Sequence, residues 1–74
     1  MKIYSIGIEH QGYDTYDAHI IVANNEQEVI EMAQEISADE GGRIWKEGSR
    51  IKIEGNYTGQ KEEPFFLLSS FNAG

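Results

Sequence analysis

Apolar and polar positions along the first part of the chain alternate with a period of two. From Lys2 to His10, Tyr4, Ile6 and Ile8 fall on one face, with Ser5, Gly7 and Glu9 on the other. Gln11-Gly12-Tyr13-Asp14 supplies a turn, and alternation resumes from Tyr16 to Ala23. There Tyr16, Ala18, Ile20 and Val22 share a face, opposite Asp17, His19 and Ile21. Two alternating runs joined by a short polar turn predict an antiparallel hairpin.

The period then changes. Asn24 or Asn25 is placed to cap a helix, with Gln27 or Glu28 three residues on to close a capping box. Val29, Met32, Ala33 and Ile36 form an apolar stripe at helical spacing. Glu28, Glu31, Gln34 and Glu35 face water, and Gly41-Gly42 ends the helix. Arg43-Ile44-Trp45-Lys46 reads as a short strand or an irregular connection. Arg50 to Glu54 alternates again, with Ile51 and Ile53 inward and Arg50, Lys52 and Glu54 outward. Beyond Gly55-Asn56, Gly59 and the solvated Gln60–Glu63 stretch, Pro64 opens Phe65-Phe66-Leu67-Leu68-Ser69-Ser70-Phe71. That run is apolar on both faces at its start, as in a central strand or one buried by a partner. The predicted order is β-β-α-β-β, an α+β fold in which one helix packs on one face of a small antiparallel sheet.

Such a helix covers one face only. The other would carry Ile3, Ile21 and one of the two Phe/Leu pairs of the last strand, Phe65/Leu67 or Phe66/Leu68. Burying it calls for a second copy of the chain, or for the loop 55–63 to fold over it.

Composition narrows the class. At 74 residues the chain reads as a single domain, residues 1–74, with little core to spare. With 39% hydrophobic residues it is too apolar for a disordered tail. There is no cysteine to form a disulfide or zinc site, and no apolar run near the roughly 20 residues that span a bilayer. The N-terminus does not have the form of a signal peptide, so a soluble cytoplasmic protein is expected. A net charge of −7 argues against direct binding to nucleic acid or an anionic membrane. It fits either an acidic surface that mimics nucleic acid or mere solubility.

Catalytic chemistry is thin. His10 and His19 come near each other across the hairpin, with Asp14 and Asp17 close by, but without the spacing of a metal motif. There is no nucleophile elbow, cysteine nucleophile or phosphate-binding glycine loop, so neither an enzyme nor a cofactor is expected. Two polar-aromatic segments suit recognition better. One is Gly12-Tyr13-Asp14-Thr15-Tyr16-Asp17 at the hairpin tip; the other is Ser69-Ser70-Phe71-Asn72-Ala73-Gly74. Tyr13, Asp14, Tyr16, Phe71 and Asn72 offer stacking area with paired donors and acceptors. Trp45, between Arg43 and Lys46, adds an aromatic ring with local positive charge. The same residues also suit an ordinary turn, a tryptophan that completes a small core, and a frayed end.

The Gly12–Asp17 segment, Val22-Ala23 leading into an acidic helix, a following tryptophan and the terminal Ser70-Phe71-Asn72-Ala73-Gly74 together resemble a family of short uncharacterised phage and prophage proteins. The likeness runs through nearly the whole chain. It departs at Ile36–Gly42 and at Phe66-Leu67-Leu68. It implies a setting in the host cytoplasm, where small phage proteins without catalytic residues act as accessory factors against host defences. One route is to sequester a small nucleotide-derived immune signal at an oligomer interface, here a dimer. The other is to inhibit a defence protein directly as an acidic nucleic-acid mimic, in the manner of anti-CRISPR proteins. A purely structural phage protein is the third class.

Overall fold

The computed structural model describes residues 1–8, 15–36, 45 and 49–72, with positions 15, 16, 71 and 72 described by their backbone. Among the described residues, the strands β1 (Lys2–Gly7), β2 (Thr15–Ala23), β3 (Arg50–Asn56) and β4 (Phe65–Asn72) surround in sequence the helix α1 (Glu26–Ile36). The strands form one sheet in the order β3-β1-β2-β4, with antiparallel pairing throughout. This is the expected α+β architecture. The N-terminal hairpin occupies the centre, and the two later strands add to its outer edges.

The helix begins where Asn25 caps it. The Glu28 backbone N–H donates to Asn25 Oδ1 at 2.9 Å, satisfying one amide of the open first turn. Glu28 answers by accepting from the Asn24 backbone N–H at 2.7 Å and from Asn24 Nδ2 at 3.1 Å. The reciprocal bond thus falls one residue before the cap itself, a shifted version of the capping box.

Val29 and Ala33, one helical turn apart, are fully buried. They join Tyr4 and Ile6 of β1, Ile21 and Ala23 of β2, and Trp45 in the core. Ile8, Ile30, Met32, Ile51 and Phe66 pack around them. Each large side chain removed from water here contributes about 1.5–3 kcal/mol before the entropic cost of ordering it.

The register corrects the expected facing of β2. Residues directly opposite in an antiparallel pair share a face, and Ile21 lies opposite Tyr4 while Ile3 lies opposite Val22. Ile21 therefore belongs to the helix-covered face with His19 and Ala23, not to the open face with Ile3. The Phe/Leu pairs also separate. A register shift between Ile20 and Ile21 leaves Leu67 as an extra residue in β4. Phe65 then meets Val22, Leu68 meets Ile20, and Phe66 meets Ile21. Phe65 and Leu68 share the open face, and Phe66 turns to the core. Nor is β4 central: it pairs with β2 alone, and Leu67 and Leu68 stay 56% and 67% exposed.

Part of the 55–63 segment does pack back on the sheet. The Tyr57 backbone N–H donates to the Met1 carbonyl at 3.2 Å, and the Tyr57 ring meets Phe65 edge-on at 5.4 Å. The Lys61 N–H donates to the Tyr57 hydroxyl at 3.1 Å, and Lys61 Nζ lies 4.4 Å from the centre of the Phe65 ring.

Candidate functional site

Two features of the sheet bring candidate recognition residues together. The first is the β2–β4 register, in which Tyr16 lies opposite Phe71 and Thr15 opposite Asn72. The hairpin segment and the C-terminal segment are far apart in sequence, yet they become cross-strand neighbours at one end of the sheet. A second register shift, between Tyr16 and Ala18, leaves Asp17 as an extra residue just before this pair. The Asp17 carbonyl accepts the Ile8 N–H at 3.0 Å, which holds the start of β2 against the chain leaving β1.

The second feature is an open depression of about 610 Å³ at the same end, lined among others by Ser5, Gly7, His19, Arg50, Lys52 and Ser70. Arg50, Gly7, Ala18 and Ser70 form one row across the four strands. Gly7 contributes no side chain to that row, and this leaves space between Arg50 and Ser70. A methyl group there would meet only ordinary contacts, with the Asp17 carbonyl at 3.6 Å and Ala18 Cβ at 3.9 Å. Beside the row, Ser5 Oγ donates to Glu54 Oε2 at 2.7 Å. The Arg50 and Lys52 side chains bring positive charge to this end of an otherwise acidic chain.

Of the expected site residues, Tyr13, Asp14, Arg43 and Lys46 lie outside the described residues. Tyr16, Phe71 and Asn72 come together as above. Trp45 takes the other role open to it, completing the core: it is 0% exposed, and its ring packs 5.0 Å from His19. In this position it offers no surface for a ligand to stack upon. Arg50 and Lys52 were not singled out from the sequence as site residues, and Ser70 only as part of the Ser69–Gly74 segment. The available signal was the outward Arg-x-Lys spacing on a predicted strand, which also describes any solvated strand face.

Behind the depression lies a buried polar cluster. His19 is almost completely buried, and its Nδ1 shares a 2.7 Å hydrogen bond with Ser69 Oγ. Phe66 meets the His19 ring edge-on at 5.0 Å. Burial pushes the His19 imidazole below its ordinary value of 6.5, while the Asp17 charge acts in the opposite direction. Trp45 Nε1 and Asp17 Oδ1 are buried without a hydrogen-bond partner among the described residues. The cluster has a serine, a histidine and an aspartate, but the His19 ring is buried and packed against two aromatic rings. Its evident role is to orient the core around a neutral imidazole.

Among the described residues no group of three or more His, Cys, Asp or Glu side chains is arranged to hold a metal ion. No helix among them is long and apolar enough to cross a membrane. The chain matches no protein-family model, no curated protein and no solved structure.

Proposed function

We propose that this protein is a non-enzymatic binding module that sequesters a small nucleotide-type ligand in a site completed by a second copy of the chain. On the phage resemblance, its setting is counter-defence in the host cytoplasm and its ligand a nucleotide-derived immune signal. The observation that carries the binding reading is the convergence at the Gly7 end of the sheet. Arg50 and Lys52 flank an open depression of about 610 Å³, and the strand register sets the Tyr16–Phe71 and Thr15–Asn72 pairs at the same end of the sheet. That volume lies within the roughly 300–1,000 Å³ range of small-molecule sites. Aromatic surface suits a base, and the cations suit a phosphate.

The test is to incubate the purified protein with a panel of cyclic di- and trinucleotides and measure what remains free. The expected result is depletion of one or more of them, with the unaltered nucleotide recovered on heating. Lys52→Glu should weaken binding about tenfold or more, the size of one lost charge-assisted contact. Recovery of a cleaved product would make the protein an enzyme, and no depletion by any member would remove the sponge reading.

The second reading is a protein inhibitor that uses α1. Glu26, Glu31 and Glu35 are exposed on this helix, which carries no lysine or arginine. Such a surface fits a basic groove on a defence protein. Replacing Glu31 and Glu35 by Gln should abolish activity of that kind while leaving nucleotide depletion nearly unchanged.

A further inference from the structure

We infer that two copies of this chain associate through the free edge of β4, joining their sheets in antiparallel fashion into one continuous sheet of eight strands. The inference rests on the binding reading for its purpose, but on separate observations for its geometry. An edge strand exposes a row of unpaired backbone donors and acceptors, and proteins ordinarily blunt such edges with charges, prolines or bulges. The sheet has two edges, and they differ sharply. β3 carries Arg50, Lys52 and Glu54, and its register against β1 is broken between Ile3 and Tyr4. β4 runs for eight residues, Phe-Phe-Leu-Leu-Ser-Ser-Phe-Asn, with no charged residue and no proline. Leu67 and Leu68, near its middle, are 56% and 67% exposed.

Charge selects a second copy as the occupant. Each chain carries a net −7, so two copies repel wherever their acidic surfaces approach. Among the five described elements β4 alone has no charged residue, so two acidic chains meet there at the lowest electrostatic cost. Antiparallel pairing of a strand with itself also closes with two-fold symmetry, so association stops at the dimer while the charged β3 edges remain outermost.

The joint has a consequence for the site. Antiparallel pairing sets the Phe71–Asn72 end of one β4 beside the Phe65 end of the other. There the second copy presents Phe65, with Tyr57 against its edge and Lys61 over its face. Position 72 of one copy then lies on the same open face as Phe65 of the other, next to Lys61, and this juxtaposition occurs twice per dimer.

The chain contains no cysteine, so a single introduced one reports the joint cleanly. Sedimentation of the wild-type protein at micromolar concentrations should give about twice the 8.4 kDa chain mass. Leu68→Lys changes an exposed side chain and should yield a folded monomer, checked by far-ultraviolet circular dichroism. Leu68→Cys should form a covalent dimer under mild oxidation, whereas Lys52→Cys on the β3 edge should not. A wild-type monomer, a dimer that survives Leu68→Lys, or equal crosslinking at both edges would overturn the inference. The outcomes separate it from the binding reading. A β4-linked dimer that depletes no nucleotide keeps the joint and loses the sponge; a monomer that depletes one keeps the sponge and loses the joint.

Discussion

Protonating His19 should destabilise the core, and a single tryptophan reports on it. His19 is almost completely buried against Trp45 and Phe66, with Nδ1 bonded to Ser69. Its pKa in the folded chain lies below the ordinary 6.5, with burial as the cause. A group that prefers its neutral form when folded contributes full stability above the unfolded value. That contribution is lost as the pH falls from 6.5 towards the folded-state value. The loss can reach about 1.4 kcal/mol per pH unit for one proton. Down to about pH 5.5 this limiting slope sets a ceiling of about 1 kcal/mol, or about 4–8 °C in Tm for a chain of this size. Trp45 is the only tryptophan, and its ring lies 5.0 Å from His19, so its emission follows both unfolding and quenching by the imidazolium. Thermal melts followed by Trp45 emission should show Tm falling from neutral pH to about pH 5.5 in the wild type. His19→Gln keeps a polar partner for Ser69 but does not titrate, and should flatten that slope although His10 remains. An equal slope in His19→Gln, or a wild-type Tm constant over this range, would refute the reasoning.

The remaining predictions concern the frame around this core. Asn25→Ala removes the acceptor of the Glu28 N–H and should cost about 1 kcal/mol in urea denaturation, whereas Asn25→Asp should nearly preserve stability. Gly59→Ala would put a methyl group into the Tyr57 ring and displace it from Phe65, costing about 1–3 kcal/mol. Gly7→Ala meets only ordinary contacts and should leave Tm nearly unchanged while partly filling the depression; equal losses at the two glycines would contradict this packing.

The order of elements could be read from the residues because each strand and the helix has its own periodicity. Facing could not be read in β2. Ile20, Ile21, Val22 and Ala23 are apolar in succession, so the pattern has no phase there, and His19 is a polar residue on the buried side. Two register shifts, at Asp17 and at Leu67, further break the simple alternation of partners. A bulge has no reliable signature in a single sequence, because the extra residue is of no particular type. The candidate site was legible in its aromatic half. Tyr16 and Phe71 stood out by type, but their adjacency depends on which strands pair, which alternation does not fix. The cationic half, Arg50 and Lys52, looked like any solvated strand face. Trp45 was ambiguous because the stretch around it has no periodicity from which a face could be assigned.

The strand order also sets the course of folding. β1 and β2 are close in sequence and make the central hairpin, while β3 pairs with β1 and β4 with β2 across separations of about fifty residues. Contacts that close short loops form first, because they cost less chain entropy. The transition state for folding should therefore contain the hairpin with α1 docked on it, giving high φ-values at Ile6 and Val29 and low ones at Leu68 and Ile53. Until β4 arrives, the outer edge of β2 and the imidazole of His19 are open to water. Chains caught at that stage are the ones most prone to misassociate, and the docking of β4 closes this route.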